Sequence, residues 1–199
     1  MQQKNKSDHH MEDDKAKSNN DDGDHGDEQQ QQPPLMALNH VSRVCKNVEE
    51  SIDFYTKVLG FVEIERPPAF DFDGAWLFNY GVGVHLVQSK DHEKLPQPHN
   101  LDPMDNHISF QCEDMNAIER KLKELNIKCK KRTVEDDKNG SVIDQLFFND
   151  PDGFMIEICN CENLKLVPAG SLGKIMLPLD RHNPPIQVQP NNNDDHIHN

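Results

Sequence analysis

The stretch Asn106-His107-Ile108-Ser109 has a near copy at Asn39-His40-Val41-Ser42, and this duplication constrains the fold more than any other feature. Cys45 answers Cys112, and Asn47-Val48 answers Asp114-Met115, at one offset (106 − 39 and 112 − 45 both give 67). The far ends echo as well. Gly81-Val82-Gly83-Val84-His85-Leu86 is matched by Gly153-Phe154-Met155-Ile156-Glu157-Ile158, so each half carries a metal-capable side chain four residues after a glycine. Four candidate donors therefore fall at equivalent places in two modules: His40 and His85, then His107 and Glu157.

Local patterning gives both modules the order βαβββ. In the first, residues 36–45 read as a strand. Asn47 and Glu50 have capping-box spacing, and apolar residues at 48, 52, 55, 58 and 59 follow helical period up to Gly60. Residues 61–65, 75–80 and 82–88 read as strands, with Asp73-Gly74 as a hairpin turn. In the second, residues 106–112 are a strand. Asp114 caps a helix whose apolar face is Met115, Ile118, Leu122 and Leu125, and strands follow at 127–132, 142–148 and 154–161. The expected fold is α+β, built of two βαβββ modules (about 36–90 and 104–162).

Only 34% of residues are hydrophobic and mean hydropathy is −0.85, because the ends are polar. Residues 1–34 and 169–199 lack the apolar surface to offset ordering entropy and read as disordered tails, leaving 35–168 as the folded domain. The net charge of −14 argues against a nucleic-acid or anionic-membrane partner. No apolar run approaches a bilayer span, and the N-terminus lacks the apolar core of a signal peptide. Five cysteines, at 45, 112, 129, 159 and 161, lie inside strands; with the odd count this points to reduced thiols and a cytoplasmic chain, the nucleus being equally compatible.

Side chains alternate faces along a strand, so two modules related by a pseudo-twofold would bring the first and last strand of each half to one centre. An ionised Glu157 in so apolar a strand is costly unless paired or ligated. Three imidazoles and a carboxylate suit a divalent first-row ion, Zn, Ni, Co, Mn or Fe(II). The bland alternatives are hydrogen-bonded strand histidines and a Glu157 paired with Lys or Arg. His85 has three open roles: ligand, neighbour that orients a ligand, or base. Trp76, Phe78 and Tyr80 share a strand face with two readings, lining the site or packing under a helix, of which packing is favoured. Lys128, Lys130, Lys131 and Arg132 read as a solvated strand, and Cys159-Asn160-Cys161 as a weak metal signal.

The motifs Ser51-Ile-Asp-Phe-Tyr-Thr-Lys-Val-Leu-Gly-Phe61, Asn106-His-Ile-Ser-Phe110 and Asn149-Asp-Pro-Asp-Gly-Phe-Met-Ile-Glu157 resemble those of the vicinal oxygen chelate superfamily, which includes glyoxalase I. The chain is most similar to plant glyoxalase I-like proteins, and the likeness spans residues 36–161. It implies that the two modules form a cupped mixed sheet around one divalent metal on His40, His107 and Glu157, with His85 at the fourth place. Two departures stand out. Glyoxalase I has glutamate where this chain has His85. It also places an arginine for the glutathione carboxylate four residues after the first ligand, where this chain has Val44, with Arg43 on the opposite strand face.

Three functions are compatible with that likeness. The first is a glyoxalase I-type lyase, with Glu157 as mobile ligand and base acting on the hemithioacetal of methylglyoxal and a thiol. The second is another enzyme of the superfamily, a thiol transferase or an extradiol-type dioxygenase. The third is a non-catalytic ligand-binding module. The expected partners are a small molecule, with a glutathione adduct as one form, and a second copy of the chain.

Overall fold

The computed structural model describes residues 34–92, 95–96, 101–136, 140–163, 169 and 184–188. The chain divides into two units, Met1–Met36 and Ala37–Asn199. Of the first, only 34–36 are described, and they are exposed and irregular. Among the described residues, all the regular structure belongs to the second.

Its elements are β1 (His40–Cys45), α1 (Val48–Lys57), β2 (Val62–Ile64), β3 (Gly74–Asn79), β4 (Val82–Gln88), β5 (His107–Gln111), α2 (Met115–Glu124), β6 (Lys130–Asp136), β7 (Ser141–Asn149) and β8 (Met155–Cys159). They build two four-stranded mixed sheets of the same topology, β1-β4-β3-β2 and β5-β8-β7-β6. In each, the first and last strands of the module pair in parallel and the other neighbours are antiparallel. The duplicated sequence is therefore a duplicated βαβββ fold.

Local chemistry sets the helix ends. Asn47 caps α1, its side chain accepting from Glu50 N at 3.3 Å, with Glu49 and Glu50 in the first turn and Lys57 in the last, each charge opposing the helix dipole. Gly60 stops it at φ +75, with Phe61 N donating to Tyr55 O at 3.0 Å. Asp114 caps α2 in the same way, accepting from Ala117 N at 2.9 Å. Some elements differ from the sequence reading. The tight hairpin turn is Tyr80-Gly81, both at positive φ, rather than Asp73-Gly74; Gly74 opens β3, where a Cβ would lie 2.1 Å from Leu86 O. Strand β6 begins three residues later than the pattern indicated, because its outward face carries Lys and Arg and gives no apolar alternation to read. Most of both polar tails falls outside the described residues. Within the C-terminal one, residues 184–188 are placed, and Ile186 N donates to Asn79 Oδ1 at 3.0 Å.

Each sheet has two chemically distinct faces. Cys45, Ala75, Leu77, Val84 and Leu86 from the first sheet share one core with Leu146, Phe148, Ile156 and Ile158 from the second, with Tyr55 of α1 and Met115 and Leu122 of α2 in the same cluster. Phe61 meets Phe110 edge-on across the modules, and Phe54 meets Phe148. His40, Trp76, His85, His107 and Glu157 alternate with these core residues and lie on the other faces.

The turn after β7 locks the halves together. Asp150 Oδ1 accepts from the N–H groups of Asp152 and Phe154, and Oδ2 from the Tyr55 hydroxyl at 2.9 Å. Asp152 accepts from Lys46 N at 2.7 Å and from Ser51 Oγ at 3.0 Å. Gly153 closes the turn at φ +87, where a Cβ would sit 2.8 Å from Pro96 O. Burial raises the Asp150 pKa above its ordinary value and pushes the Tyr55 hydroxyl far up. Removing a partner from such a buried group costs about 1–3 kcal/mol. We therefore expect Tyr55→Phe to lower stability by about that amount, and Asp152→Ala, which orphans two donors, by at least as much. Urea midpoints at constant m-value measure both.

Candidate metal centre

The candidate donors come in two pairs, one from each half. On the first sheet, His40 pairs in register with Gly83, and His85 lies diagonally across, opposite Ser42. Their imidazoles stack with ring centres 3.9 Å apart and planes 13° apart. Trp76, opposite His85 on β3, covers the other face of that ring at 4.2 Å and 2°. Phe70 extends the column, 4.9 Å from Trp76. Gly83 makes room for it. A Cβ there would lie 3.1 Å from His40 Cβ and 3.5 Å from His85 Nε2. His40 Nδ1 contacts Asn39 Oδ1 at 2.7 Å, which leaves Nε2 as its outward donor.

On the second sheet, His107 Nε2 stands 3.1 Å from Glu157 Oε2. Its Nδ1 is 2.7 Å from Asp105 O, fixing the ring in the same sense as His40. Gln145 donates from Nε2 to Glu157 Oε1 in a short hydrogen bond. Glu157 is only 5% exposed, so these partners satisfy a carboxylate that would otherwise be costly to bury. Phe147, opposite Glu157 on β7, meets the His107 ring edge-on at 5.7 Å. Trp76 and Phe147 thus hold equivalent places, each an aromatic beside the donor of its module's last strand.

One chain does not gather all four. No three of His40, His85, His107 and Glu157 have donor atoms within 4.8 Å of one another among the described residues. Each half instead brings its own two donors together, by ring stacking in the first and by a His107–Glu157 contact in the second. The convergence expected from the sequence is observed within each half, not between halves.

Several finer expectations change. Trp76 does not pack under a helix but stacks on His85, while Tyr80, turned by its positive φ, packs against Phe61 and Phe110 in the core. Arg43 is on the core face, its guanidinium 5.0 Å over the Phe154 ring, so it cannot greet a substrate carboxylate at the donor face. Val44 is there instead, 39% exposed. Cys159 and Cys161 are not reduced thiols but a disulfide. Lys131 pairs with Glu119 and Lys130 reaches Leu101 O, as expected of an exposed basic strand. A cavity of about 1620 Å³ lies elsewhere, between Glu50, Phe54, Asp105, Lys128, Lys130 and Asn149, and none of the four donors lines it.

Sequence reasoning missed Gln145, Gly83 and the column role of Trp76. Gly83 was findable, because it precedes His85 by two residues and therefore shares its strand face. Gln145 had no signal, since only the antiparallel register places it beside Glu157.

Residues 37–158 match the model of the Glyoxalase/Bleomycin resistance protein/Dioxygenase superfamily. The chain belongs to this superfamily. Among its relatives, Glyoxylase I 4 of Arabidopsis thaliana is 54% identical over 134 residues, covering 67% of this chain and 76% of that protein. Metallothiol transferase FosB of Bacillus licheniformis is 30% identical over 132 residues, covering 62% and 75%. The crystal structure of a glyoxalase family protein from Bacillus anthracis superposes with a TM-score of 0.52 at 18% identity, covering 64% of this chain and 97% of that one; this likeness concerns the fold alone.

Burial and the neighbouring His40 lower the His85 pKa below its ordinary 6.5. The neutral ring is the form that donates a lone pair. Since folding lowers the value, the associated stability is whole above pH 6.5 and is lost as pH falls through the lower folded value. Ring-proton NMR should find His85 titrating below 6.5, and Trp76→Ala, by exposing the ring, should move it back up.

Proposed function

We propose that this protein is a glyoxalase I-type lyase that isomerises the hemithioacetal of methylglyoxal and a small thiol, glutathione being the thiol we favour. The observation that carries this is the buried Glu157, held by Gln145 on one oxygen and by His107 on the other. A carboxylate so placed is oriented and shielded from water, which is what a base that removes a carbon-bound proton requires. The high identity to a protein named Glyoxylase I 4 supports the same reading.

The donor chemistry fits a divalent first-row ion: imidazole nitrogens plus one carboxylate, each histidine with its second nitrogen or its ring face already engaged. His40 and His85 would hold it from the first module, His107 and Glu157 from the second. What such an ion supplies when bound is Lewis-acid polarisation of the two substrate oxygens. The chain supplies the rest. Gln145 fixes Glu157 Oε1, so Oε2 is the oxygen that takes the proton of the thiol-bearing carbon and returns it to the adjacent carbonyl carbon, while the hydroxyl proton of the first carbon passes to the oxygen of the second. The first carbon ends as a thioester and the second as a carbinol, with nothing gained or lost. The aromatic column of Phe70, Trp76 and the two imidazoles offers the substrate a flat apolar wall. The core position of Arg43 leaves a thiol's carboxylate to be met by another cation. We assign the action to the cytosol, where small thiols abound.

We further propose that the two donor pairs meet between two copies of the chain, the first module of one facing the second module of its partner. A second reading, thiol transfer to an electrophile, would need only His40, His107 and Glu157, each of which has its other donor atom already engaged. Product analysis separates the two readings, since isomerisation yields a thioester and transfer a new covalent adduct.

With Ni or Zn, the purified chain should convert the hemithioacetal, and Glu157→Gln should cut kcat by about 10²–10⁴. Unchanged turnover in that variant removes Glu157 as base. Mixing refolded His40→Ala and Glu157→Gln chains tests the pairing. Random association makes half the dimers mixed, each with one intact site of two, so about a quarter of wild-type activity should return. If the four donors serve within a single chain, mixing restores nothing.

A further inference from the structure

Strand β8 ends at Cys159, and Cys161 opens the short 3-10 turn Cys161–Asn163. Their sulfurs are bonded to each other, with Cα atoms 5.4 Å apart. Cys159 shares its strand face with Glu157, and one donor atom from each of Glu157, Cys159 and Cys161 lies within 4.8 Å of the other two. Neither sulfur has a part in the chemistry above.

The bond is not a staple for the fold. A bridge over so short a loop removes little entropy from the unfolded chain. The backbone around it is held by other means. Strand β8 is paired on both sides. Cys112 N donates to Cys159 O at 2.8 Å, Asn160 N to Asp144 O at 3.3 Å, and Asp144 N to Asn160 Oδ1 at 2.8 Å. Opening the bridge therefore leaves β8 and Glu157 in place. The freed Cys159 thiol would keep a polar neighbour, Ser109 Oγ, 3.6 Å away. A disulfide that stabilises little and opens without disturbing its strand is suited to exchange rather than to structure.

We propose that the Cys159–Cys161 pair is a reversible thiol–disulfide exchange site for small thiols, set beside the buried carboxylate of Glu157. Cys159 is only 3% exposed while Cys161 is half-buried, so the entering thiolate reaches the sulfur of Cys161. It forms a new S–S bond there. The protein disulfide breaks, and its electron pair leaves on Cys159 Sγ, which takes up a proton. A second thiolate then attacks the outer sulfur of the mixed disulfide and releases Cys161 as a thiol. Two small thiols have been oxidised to one small disulfide, and one protein disulfide has been reduced to two thiols. The reverse sequence, with the small disulfide as oxidant, closes the pair. The open form adds two sulfur donors beside the single carboxylate, so the state of the thiol pool is written onto the strand that carries Glu157. The exchange does not depend on the lyase reading.

The test uses the full chain and needs no turnover assay. It is equilibrated in glutathione/glutathione disulfide mixtures, quenched by alkylation and mapped by peptide mass. The 159–161 peptide should pass from disulfide to dithiol across the series, while Cys45, Cys112 and Cys129 remain thiols. Burial raises all three of those thiols above their ordinary pKa, and Cys129, though exposed, serves as the accessible control. With glutathione disulfide, Cys159→Ser should form a mixed disulfide at Cys161 roughly tenfold faster than Cys161→Ser does at Cys159. A pair that stays in one state across the whole series, or a Cys161 no more reactive than Cys129, overturns the proposal.

Discussion

Two buried carboxylates hold this structure together. Asp150 and Asp152 stand in one five-residue turn of the second module, yet their acceptor oxygens are filled largely by the first: by Tyr55 and Ser51 of α1 and by the backbone of Lys46. Buried acids are tolerable only when their lone pairs are matched, and here the partners come from α1, from the backbone just before it and from the turn itself. The turn therefore cannot be satisfied unless α1 lies against the β7–β8 end of the second sheet. That docking brings Phe54 to Phe148 and Phe61 to Phe110, and it decides which faces of the sheets become core. The polar lock supplies direction, and the burial of apolar side chains from both sheets supplies most of the free energy.

The donor geometry follows from the same decision. Once the alternate residues Val84, Leu86, Ile156 and Ile158 are committed inward, period two forces His85 and Glu157 outward. Parallel pairing then brings each one beside the first strand of its own module, where His40 and His107 wait at matching positions. The two halves have diverged in how they hold their donors. The first uses stacking, with His85 between Trp76 and His40. The second uses hydrogen bonds, with Glu157 between Gln145 and His107. A neutral ring needs a face and room, which Trp76 and Gly83 give. A charged group needs donors, which Gln145 and His107 give.

Much of this was legible in the chain because it depends on period and repetition. The duplicated Asn-His-x-Ser, the glycine four residues before His85 and Glu157, and the caps at Asn47 and Asp114 are local signals, and local rules govern them. What escaped reading depends on register between distant strands or on turns that meet other elements. Gln145 is placed by antiparallel pairing alone. Asp150 and Asp152 are acceptors for another module, a role that no local pattern signals. Tyr80 breaks the alternation of β3 because its φ is positive, a choice that Gly81 permits and that no pattern of hydropathy announces. The cysteine count indicated free thiols. It could not reveal that two residues of spacing, at the end of a strand, set two sulfurs side by side.

The faces that carry the donors differ from the usual exposed side of a sheet. Sheets that bury one side ordinarily leave polar residues on the other. Here the outer faces hold Trp76 and Phe78, half-buried, with Val44 39% exposed, next to imidazoles and a carboxylate. Such a surface is too apolar to be only solvated and too rich in donors to be only an interface. It has the composition of a site wall, with aromatic residues to exclude water and a few polar groups to fix orientation. The duplication made two such walls, one built on stacked rings and one on a hydrogen-bonded carboxylate.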